Sequence, residues 1–230
     1  MAKAIGKTSN WEIYSRLKVR GPAVVRADGR GFHKILESRK KPYDPDFARS
    51  MAGATARLFE ESGLTPIMAF TFSDEISILF SEMPFSGRVE KLDSVIPSFL
   101  SGALSLDLQR VVSMDARVIP LCPGEVVEYL GDRQDETWRN CVFSYGFYSL
   151  VAEGKSRVEA MGVLRGLKES EIHELLFDRG INLAKTPAWE RRGIAIYRKG
   201  DKVIQLWDLP FFRSEEGREL MEKISRPFIA

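Results

Sequence analysis

Two stretches of the sequence decide the fold: VVRADGR at residues 24–30 and AFTFSDEISILF at residues 69–80. The first is an apolar run that stops at Asp-Gly, which predicts a strand with Asp28 at the rim of a sheet. The second predicts two strands joined by a tight turn that carries Asp74 and Glu75. If these strands are neighbours, their carboxylates meet and repel each other unless a divalent cation lies between them. Because Mg²⁺ binds one or two carboxylates and recruits substrate phosphates, the pattern favours metal-assisted phosphoryl chemistry.

Each stretch also has a purely structural interpretation. Asp-Gly is a common turn dipeptide, and Ser-Asp-Glu is typical of a solvated hairpin. The two motifs together, each at the end of a strongly apolar run, favour the catalytic interpretation.

The composition is that of an ordinary soluble globular protein. The 230 residues are 44% hydrophobic and 29% charged, and a net charge of +2 does not by itself indicate a nucleic-acid partner. No apolar run reaches about 18 residues and residues 1–7 carry no apolar secretory segment, which predicts no membrane partner and a cytoplasmic location. Cys122 and Cys141 lack metal-type spacing and fit a reduced compartment. His33 and His173 are too few for a His-rich zinc site.

The order of the predicted elements indicates an α+β fold class. The first half reads strand, helix, strand, strand, helix, strand, which is the split βαβ pattern of ferredoxin-like sheets, polymerase palms and nucleotide cyclases. The predicted architecture is an antiparallel palm-like sheet with helices on one face. In that arrangement the end of the first strand lies beside the hairpin between the second and third, so connectivity alone brings Asp28 and Asp74 together.

The second half of the chain is predicted to elaborate the same domain. Residues 1–125 form the palm-like catalytic core, and residues 126–230 add helices and a β-hairpin. The predicted elements are helices at 156–167 and 168–177, a hairpin of 193–197 and 202–207, and a helix from Ser214.

Two features of the sequence have both a binding and a structural interpretation. The aromatic residues between positions 128 and 151 suit base stacking, but their helical spacing is more typical of a core. The basic groups at 39–41, 191–192 and 198–202 suit either an RNA-binding face or a solvated surface.

The sequence resembles the family of tRNA-His guanylyltransferases and their guanylyltransferase-like relatives. The resemblance rests on VVRADGRGFH at residues 24–33 and FSDE at residues 72–75, which are specific in combination and weak separately. Further landmarks keep their order along the chain as far as residue 200: Lys41-Pro42, Arg88, Lys91, Arg133-Gln134 and Tyr197-Arg198-Lys199-Gly200.

The resemblance implies an enzyme that adds nucleotides to the 5′ end of tRNA in the 3′-to-5′ direction, with two Mg²⁺ ions. It implies that Asp28, Asp74 and the Gly29 carbonyl bind metal. It adds Glu75 to Asp28 and Asp74 as a catalytic residue, which supports either the metal site or the activation step. The residues that it assigns to nucleotide binding are Gly29, Arg30, Gly31, Phe32, His33, Lys41, Asp44, Ser73, Arg88 and Lys91. Those that it assigns to tRNA binding are Arg133, Asn140, Arg198 and Lys199. The implied substrates are GTP, ATP and other nucleoside triphosphates, and the implied assembly is a homo-tetramer.

One departure from the family pattern bears on the substrate. Eukaryotic guanylyltransferases carry a His-Ile-Asn-Asn-Leu-Tyr-Asn helix after Arg-Gln, whereas this chain has WRNCVFS at residues 138–144 and keeps only Asn140. The departure favours the guanylyltransferase-like branch, which resembles a template-dependent repair polymerase for 5′-truncated tRNAs. Three alternatives remain open: a tRNA-His guanylyltransferase that adds G opposite a templating C, a nucleotide cyclase that needs no RNA, and a non-enzymatic tRNA-binding protein.

Overall fold

An antiparallel sheet organises the protein. The computed structural model describes residues 12–229, and of residues 226–229 only the backbone. The strands in this part of the chain are β1 (Ala23–Gly29), β2 (Met68–Phe72), β3 (Glu75–Phe80), β4 (Met114–Pro120), β5 (Ile194–Lys199) and β6 (Lys202–Leu206). They form a six-stranded sheet in the order β4-β1-β3-β2-β5-β6, in which all neighbours are antiparallel.

The first four strands have the ferredoxin-like order that the sequence predicts. The side chains of Val24 and Val25, in the inner strand β1, point to opposite faces of the sheet. Both are fully buried, so the sheet is covered on both sides. The register places Asp28 opposite Glu75, and the Asp74 turn comes directly before Glu75. We call this end of the sheet the carboxylate end, and the opposite end, where β1 starts and β3 finishes, the far end.

Two long helices, α2 (Pro45–Glu61) and α3 (Val89–Leu108), cover one face of the sheet. Helix α2 begins where it does because Asp44 accepts a hydrogen bond from the Phe47 N–H at 2.9 Å and Pro45 occupies the first helical position. Helix α3 continues through Pro97, because burial of its apolar face outweighs the lost backbone hydrogen bond.

The second half of the chain extends the sheet and covers its other face. Strand β5 pairs with β2, with Ile194 opposite Thr71. The remaining helices are α1 (His33–Leu36), α4 (Val126–Ala152), α5 (Arg157–Leu164), α6 (Glu169–Phe177), α7 (Ala188–Arg192) and α8 (Glu215–Ile229). Leu130 of α4 and Met221 of α8 pack on the second face. The predicted fold class is confirmed, with the elaboration covering the face that the palm helices leave open, whereas the division at residue 125 stays a prediction.

Helices α4, α5 and α6 form a layer with a small core of its own. Phe147 is buried there, while Trp138 and Tyr145 donate hydrogen bonds to Glu169 and Glu190. These aromatic side chains therefore serve mainly as core, which is what their helical spacing indicates. Over residues 12–229, no helix combines the length and the hydropathy that a bilayer crossing needs.

Candidate active site

Asp28 and Asp74 lie together at the carboxylate end. The Gly29 N–H donates a hydrogen bond to the Asp74 carbonyl at 3.0 Å, which ties the end of β1 to the turn before β3. Ser73 has a left-handed backbone with φ of 50°, and its hydroxyl donates to Asp74 Oδ1 at 3.2 Å. The turn geometry thus presents the Asp74 carboxylate beside β1.

The two carboxylates repel each other. Burial, together with the negative charge of Asp28, raises the pKa of Asp74 above its ordinary value, although a hydrogen bond from Ser73 and the nearby His33 oppose the shift. A divalent cation between the two carboxylates would remove the repulsion. The available donors suit Mg²⁺, because carboxylate oxygens and the Gly29 carbonyl are hard oxygen ligands. Among the described residues no three acidic, histidine or cysteine side chains surround one metal position, so water and substrate phosphates would complete the coordination.

The turn after β1 depends on two glycines. A Cβ atom on Gly29 would lie 2.5 Å from the Phe32 ring, and Gly31 has a φ of +72°. Phe32 is almost fully buried and packs edge to face against Phe47, with 6.0 Å between the ring centroids. The Phe32 side chain belongs to the core, so any nucleotide contact from this residue would come from its backbone.

Glu75 is engaged in an ion pair. Arg133 of α4 donates from Nε to Glu75 Oε1 at 2.9 Å and from Nη2 to Glu75 Oε2 at 2.6 Å, and each side chain is only 12% exposed. Burial raises the pKa of Glu75, although the charge and hydrogen bonds of Arg133 oppose this. Arg133 also pairs with Glu136 at 3.0 Å. The tRNA contact predicted for Arg133 would therefore require an existing buried pair to open.

A cavity of about 280 Å³ opens beside the carboxylate end. It brings together five residues that the sequence assigned to nucleotide or tRNA binding: His33, Lys41, Asp44, Ser73 and Asn140. The side chains of Arg30 and His33 are exposed on the turn that leads to it. Ser73, which lines the cavity, directly precedes Asp74, so the cavity adjoins the carboxylate pair.

Two of the cavity residues also have contacts within the protein. Besides capping α2, Asp44 accepts a hydrogen bond from the Lys40 N–H at 3.1 Å. Burial alone would raise the pKa of Asp44, but the Phe47 and Lys40 donors and the nearby Arg39 hold it below its ordinary value. The Lys41 ammonium donates to the Leu36 carbonyl and lies 5.3 Å from the centroid of an aromatic ring, that of Tyr148. Capping thus accounts for the burial of Asp44 without any ligand.

Much of the cavity wall comes from residues to which the sequence analysis gave no role there. These are Tyr43, Ser144, Tyr148, Arg157 and Trp189, among others. Tyr43 packs against Trp189 with 6.1 Å between ring centroids, which makes one side of the cavity aromatic. Asn140, Ser144 and Tyr148 follow each other at four-residue spacing on α4 and so share one helix face. That spacing is a sequence signal from which the shared surface could have been predicted.

Four residues predicted to contact substrate lie away from the carboxylate end. The backbone of Arg88 forms an isolated antiparallel β-bridge with Lys18, which precedes β1. Lys91 follows in the first turn of α3. Because β3 advances about 3.3 Å per residue, its last residue, Phe80, lies roughly 17 Å from Glu75, and the chain reaches α3 only after it. Arg88 and Lys91 therefore lie near the far end of the sheet, and the nucleotide contact that the resemblance implies for them stays a prediction. Arg198 and Lys199 close β5 at the same far end.

Comparison with known proteins assigns the chain to a family. The family model described as tRNAHis guanylyltransferase (Thg1) matches residues 6–129, and the model of the Thg1 C-terminal domain matches residues 124–225. The chain belongs to the tRNAHis guanylyltransferase family. It is a nucleotidyltransferase, as the sequence predicts.

Members of the tRNAHis guanylyltransferase family match most of the chain. The probable tRNA(His) guanylyltransferase of Dictyostelium discoideum is 30% identical over 76% of this chain and 75% of its own length. The tRNA(His) guanylyltransferase of Schizosaccharomyces pombe is 30% identical over 83% of this chain and 76% of its own. A bacterial tRNA(His) guanylyltransferase (Thg1)-like protein, solved in complex with ATP, superposes with a TM-score of 0.79 at 25% identity, covering 94% of this chain and 96% of that one.

Proposed function

We propose that the protein is a template-dependent 3′-to-5′ nucleotidyltransferase that adds nucleotides to the 5′ end of truncated tRNA. The observation that carries the proposal is the pair of mutually repelling carboxylates, Asp28 and Asp74, beside a cavity with one aromatic side. The cavity volume of about 280 Å³ is close to the range of small-molecule sites, which begins at about 300 Å³.

Asp28, Asp74 and the Gly29 carbonyl would hold two Mg²⁺ ions. When bound, such ions lower the pKa of an attacking hydroxyl and neutralise the charge that develops on departing pyrophosphate. The protein itself contributes position and charge. The Gly29–Asp74 hydrogen bond fixes the distance between the two metal-binding segments, and the exposed Lys41 at the cavity suits a triphosphate oxygen.

The aromatic side of the cavity suits a nucleobase, and its polar end next to Ser73 suits the phosphates. The bacterial relative solved with ATP, and a second such structure solved with GTP, support nucleoside triphosphates as the substrates. Asn140 faces the same cavity from α4 and is proposed to contact the nucleotide or the tRNA end there. Arg198 and Lys199 at the far end are proposed as contacts to more distant tRNA phosphates.

Template dependence is proposed from the α4 segment. Where eukaryotic guanylyltransferases carry His-Ile-Asn-Asn-Leu-Tyr-Asn, this chain keeps Asn140 and has Ser144 at the last position, and both residues line the cavity. A site without the family's helix must take its base choice from elsewhere. The opposite acceptor strand supplies it through Watson–Crick pairing, while the protein binds shape and phosphates.

The test is nucleotide addition to a tRNA that lacks its first 5′ nucleotide. With C, A, G or U as the facing 3′-strand nucleotide, we expect GTP, UTP, CTP or ATP to be preferred. Addition of G opposite all four would contradict template dependence and support the second candidate, a dedicated tRNA-His guanylyltransferase, which the names of the relatives favour. GTP turnover without RNA would indicate a cyclase, and tRNA binding without addition a non-enzymatic protein. The homo-tetramer that the resemblance implies and the cytoplasmic location predicted from the sequence stay predictions.

A further inference from the structure

Two successive residues of α4, Arg133 and Gln134, fasten the catalytic hairpin to the C-terminal part of the chain. Arg133 forms the bidentate ion pair with Glu75 described above. Gln134 is 2% exposed and makes three hydrogen bonds of 2.8–3.0 Å, to the Arg192 and Pro210 carbonyls and from the Phe212 N–H. Arg133 therefore positions the Glu75 side chain, and the next residue, Gln134, fixes this turn of α4 to the C-terminal part of the chain.

The ion pair determines where the Glu75 carboxylate points. Glu75 lies directly opposite Asp28 in the β1–β3 register, where side chains share one face and their Cβ atoms are about 4.5–5.5 Å apart. Like charges at such positions repel and destabilise the pairing. Arg133 draws the Glu75 carboxylate to itself, and its guanidinium also lies 6.0 Å from the ring centroid of Phe72, which faces Glu75 across the hairpin.

We propose that Arg133 is a positioning residue for nucleotidyl transfer, which holds Glu75 away from Asp28 and Asp74 so that the metal-binding set stays at two carboxylates. The proposal rests on the proposed metal site. The competing role for Arg133 is a contact to tRNA phosphate. A guanidinium that is 12% exposed and doubly paired is poorly placed for such a contact, because withdrawing it leaves Glu75 buried without a partner.

A double-variant cycle in the nucleotide-addition assay tests this coupling. We expect Arg133→Gln to lower kcat by at least about tenfold, the range seen when outer-shell partners of metal ligands are lost. The KM for the nucleotide should change little. Because Arg133 acts only through Glu75, adding Arg133→Gln to Glu75→Gln should cause no further loss. Independent, multiplying losses in the double variant would overturn the proposal.

Metal binding provides a readout that does not depend on turnover. Loss of Arg133 makes a third carboxylate available, so Arg133→Gln should bind Mn²⁺ about threefold more tightly or better, as measured by the electron paramagnetic resonance of the free ion. The second change, Glu75→Gln, should reverse this gain. Unchanged or weaker Mn²⁺ binding by Arg133→Gln would contradict the proposal. If the wild-type protein adds no nucleotide to any RNA, the proposed function fails, and the Mn²⁺ titration still decides the role of Arg133.

The salt dependence of tRNA binding separates positioning from phosphate contact. Loss of one phosphate contact lowers the salt slope of binding by about 1, whereas we expect Arg133→Gln to leave the slope unchanged. Arg139→Gln is the matched control, because Arg139 lies on the same helix with its side chain 60% exposed, and it should alter neither kcat nor Mn²⁺ binding. If Arg133→Gln does not fold, Arg133→Lys, which keeps the charge without the bidentate geometry, is carried through the same measurements. A lowered slope in either variant would assign Arg133 to tRNA instead.

Discussion

At the scale of single residues, Asp28 and Asp74 can be tested separately for a role in catalysis and for a role in stability. Asp28→Asn or Asp74→Asn should lower nucleotide addition at least about 100-fold, since each would remove a charged ligand of the proposed metal site but keep the shape of the side chain. Addition is measured with labelled, 5′-truncated tRNA and Mg²⁺. Asp201→Asn is the control, because Asp201 is exposed at the far end, in the turn between β5 and β6. Near-normal addition by either site variant would remove the metal assignment.

The same variants should remain folded. A carboxyl group whose pKa is raised in the folded state lowers the free energy of unfolding once the pH exceeds the pKa of the same group in the unfolded chain. Ionised Asp74 is therefore destabilising at neutral pH. Asp74→Asn should therefore unfold at the same temperature as the wild type or higher in metal-free buffer. A clear drop in unfolding temperature would mean that the carboxylate holds the turn together.

The two cysteines should differ in reactivity. Burial, assisted by the charge of Glu190, raises the pKa of Cys141 to about 12, whereas Cys122 is exposed. At pH 8 only roughly 10⁻⁴ of a thiol with that pKa is thiolate, so Ellman's reagent should titrate one thiol per native chain and two after denaturation. Rapid reaction of both thiols in the native protein would show that the α4 layer opens.

Contacts were predictable from sequence where they depend on neighbours along the chain. The meeting of Asp28 and Asp74 at one end of the sheet was predicted because each stands within a few residues of an apolar run. The partner of Glu75 was not, because Arg133 lies 58 positions further on and only the packing of α4 against the hairpin brings the two together. The sequence around Asp44 indicates a second role, that of capping α2, since Asp44 stands directly before Pro45 at the start of the helix.

At the scale of elements, α2 depends on its cap. Asp44→Ala should cost about 1 kcal/mol, because the Phe47 N–H loses its acceptor, while Asp44→Asn should keep most of the cap. Since the pKa of Asp44 is lowered in the folded state, its contribution is present above the unfolded pKa of about 3.9 and is lost as the pH falls through the folded value. The stability difference between wild type and Asp44→Ala should therefore shrink below about pH 4.

Chemical denaturation at several pH values measures this difference. A rise in the nucleotide KM of Asp44→Asn with unchanged stability would instead support the nucleotide contact that the resemblance implies.

Elements were predicted better than their mutual placement. The strands around Asp28 and Asp74 and the helices after them are encoded in local hydrophobic periodicity. The place of Arg88 in the fold could not be predicted from its closeness in sequence to the hairpin. The direction of β3 carries the chain to the other end of the sheet before α3 starts.

At the scale of the whole molecule, Arg88 and Lys91 lie near the far end of the sheet, and we expect them to contact a triphosphate at the carboxylate end of a second copy of the chain. The tetramer implied by the resemblance would allow this. We expect co-expressed Asp74→Ala and Arg88→Ala/Lys91→Ala chains to show nucleotide addition that neither shows alone, because one chain supplies the carboxylates and the other the cations. Absence of complementation in a mixed oligomer, verified by differently tagged chains, would mean that the two cations do not act at a neighbouring site.

The pairing of β5 with β2 has a consequence for synthesis on the ribosome. Strand β2, the apolar run MAFTF, emerges with the palm-like core, but its outer neighbour begins only at Ile194. Until then its unpaired N–H and carbonyl groups form an exposed apolar edge, which is a template for pairing with other chains. N-terminal segments fold first during translation, so this edge persists while the α4–α6 layer is being made. Ile194, which also lines the cavity, thus completes the cavity wall and begins the strand that pairs with this edge of β2.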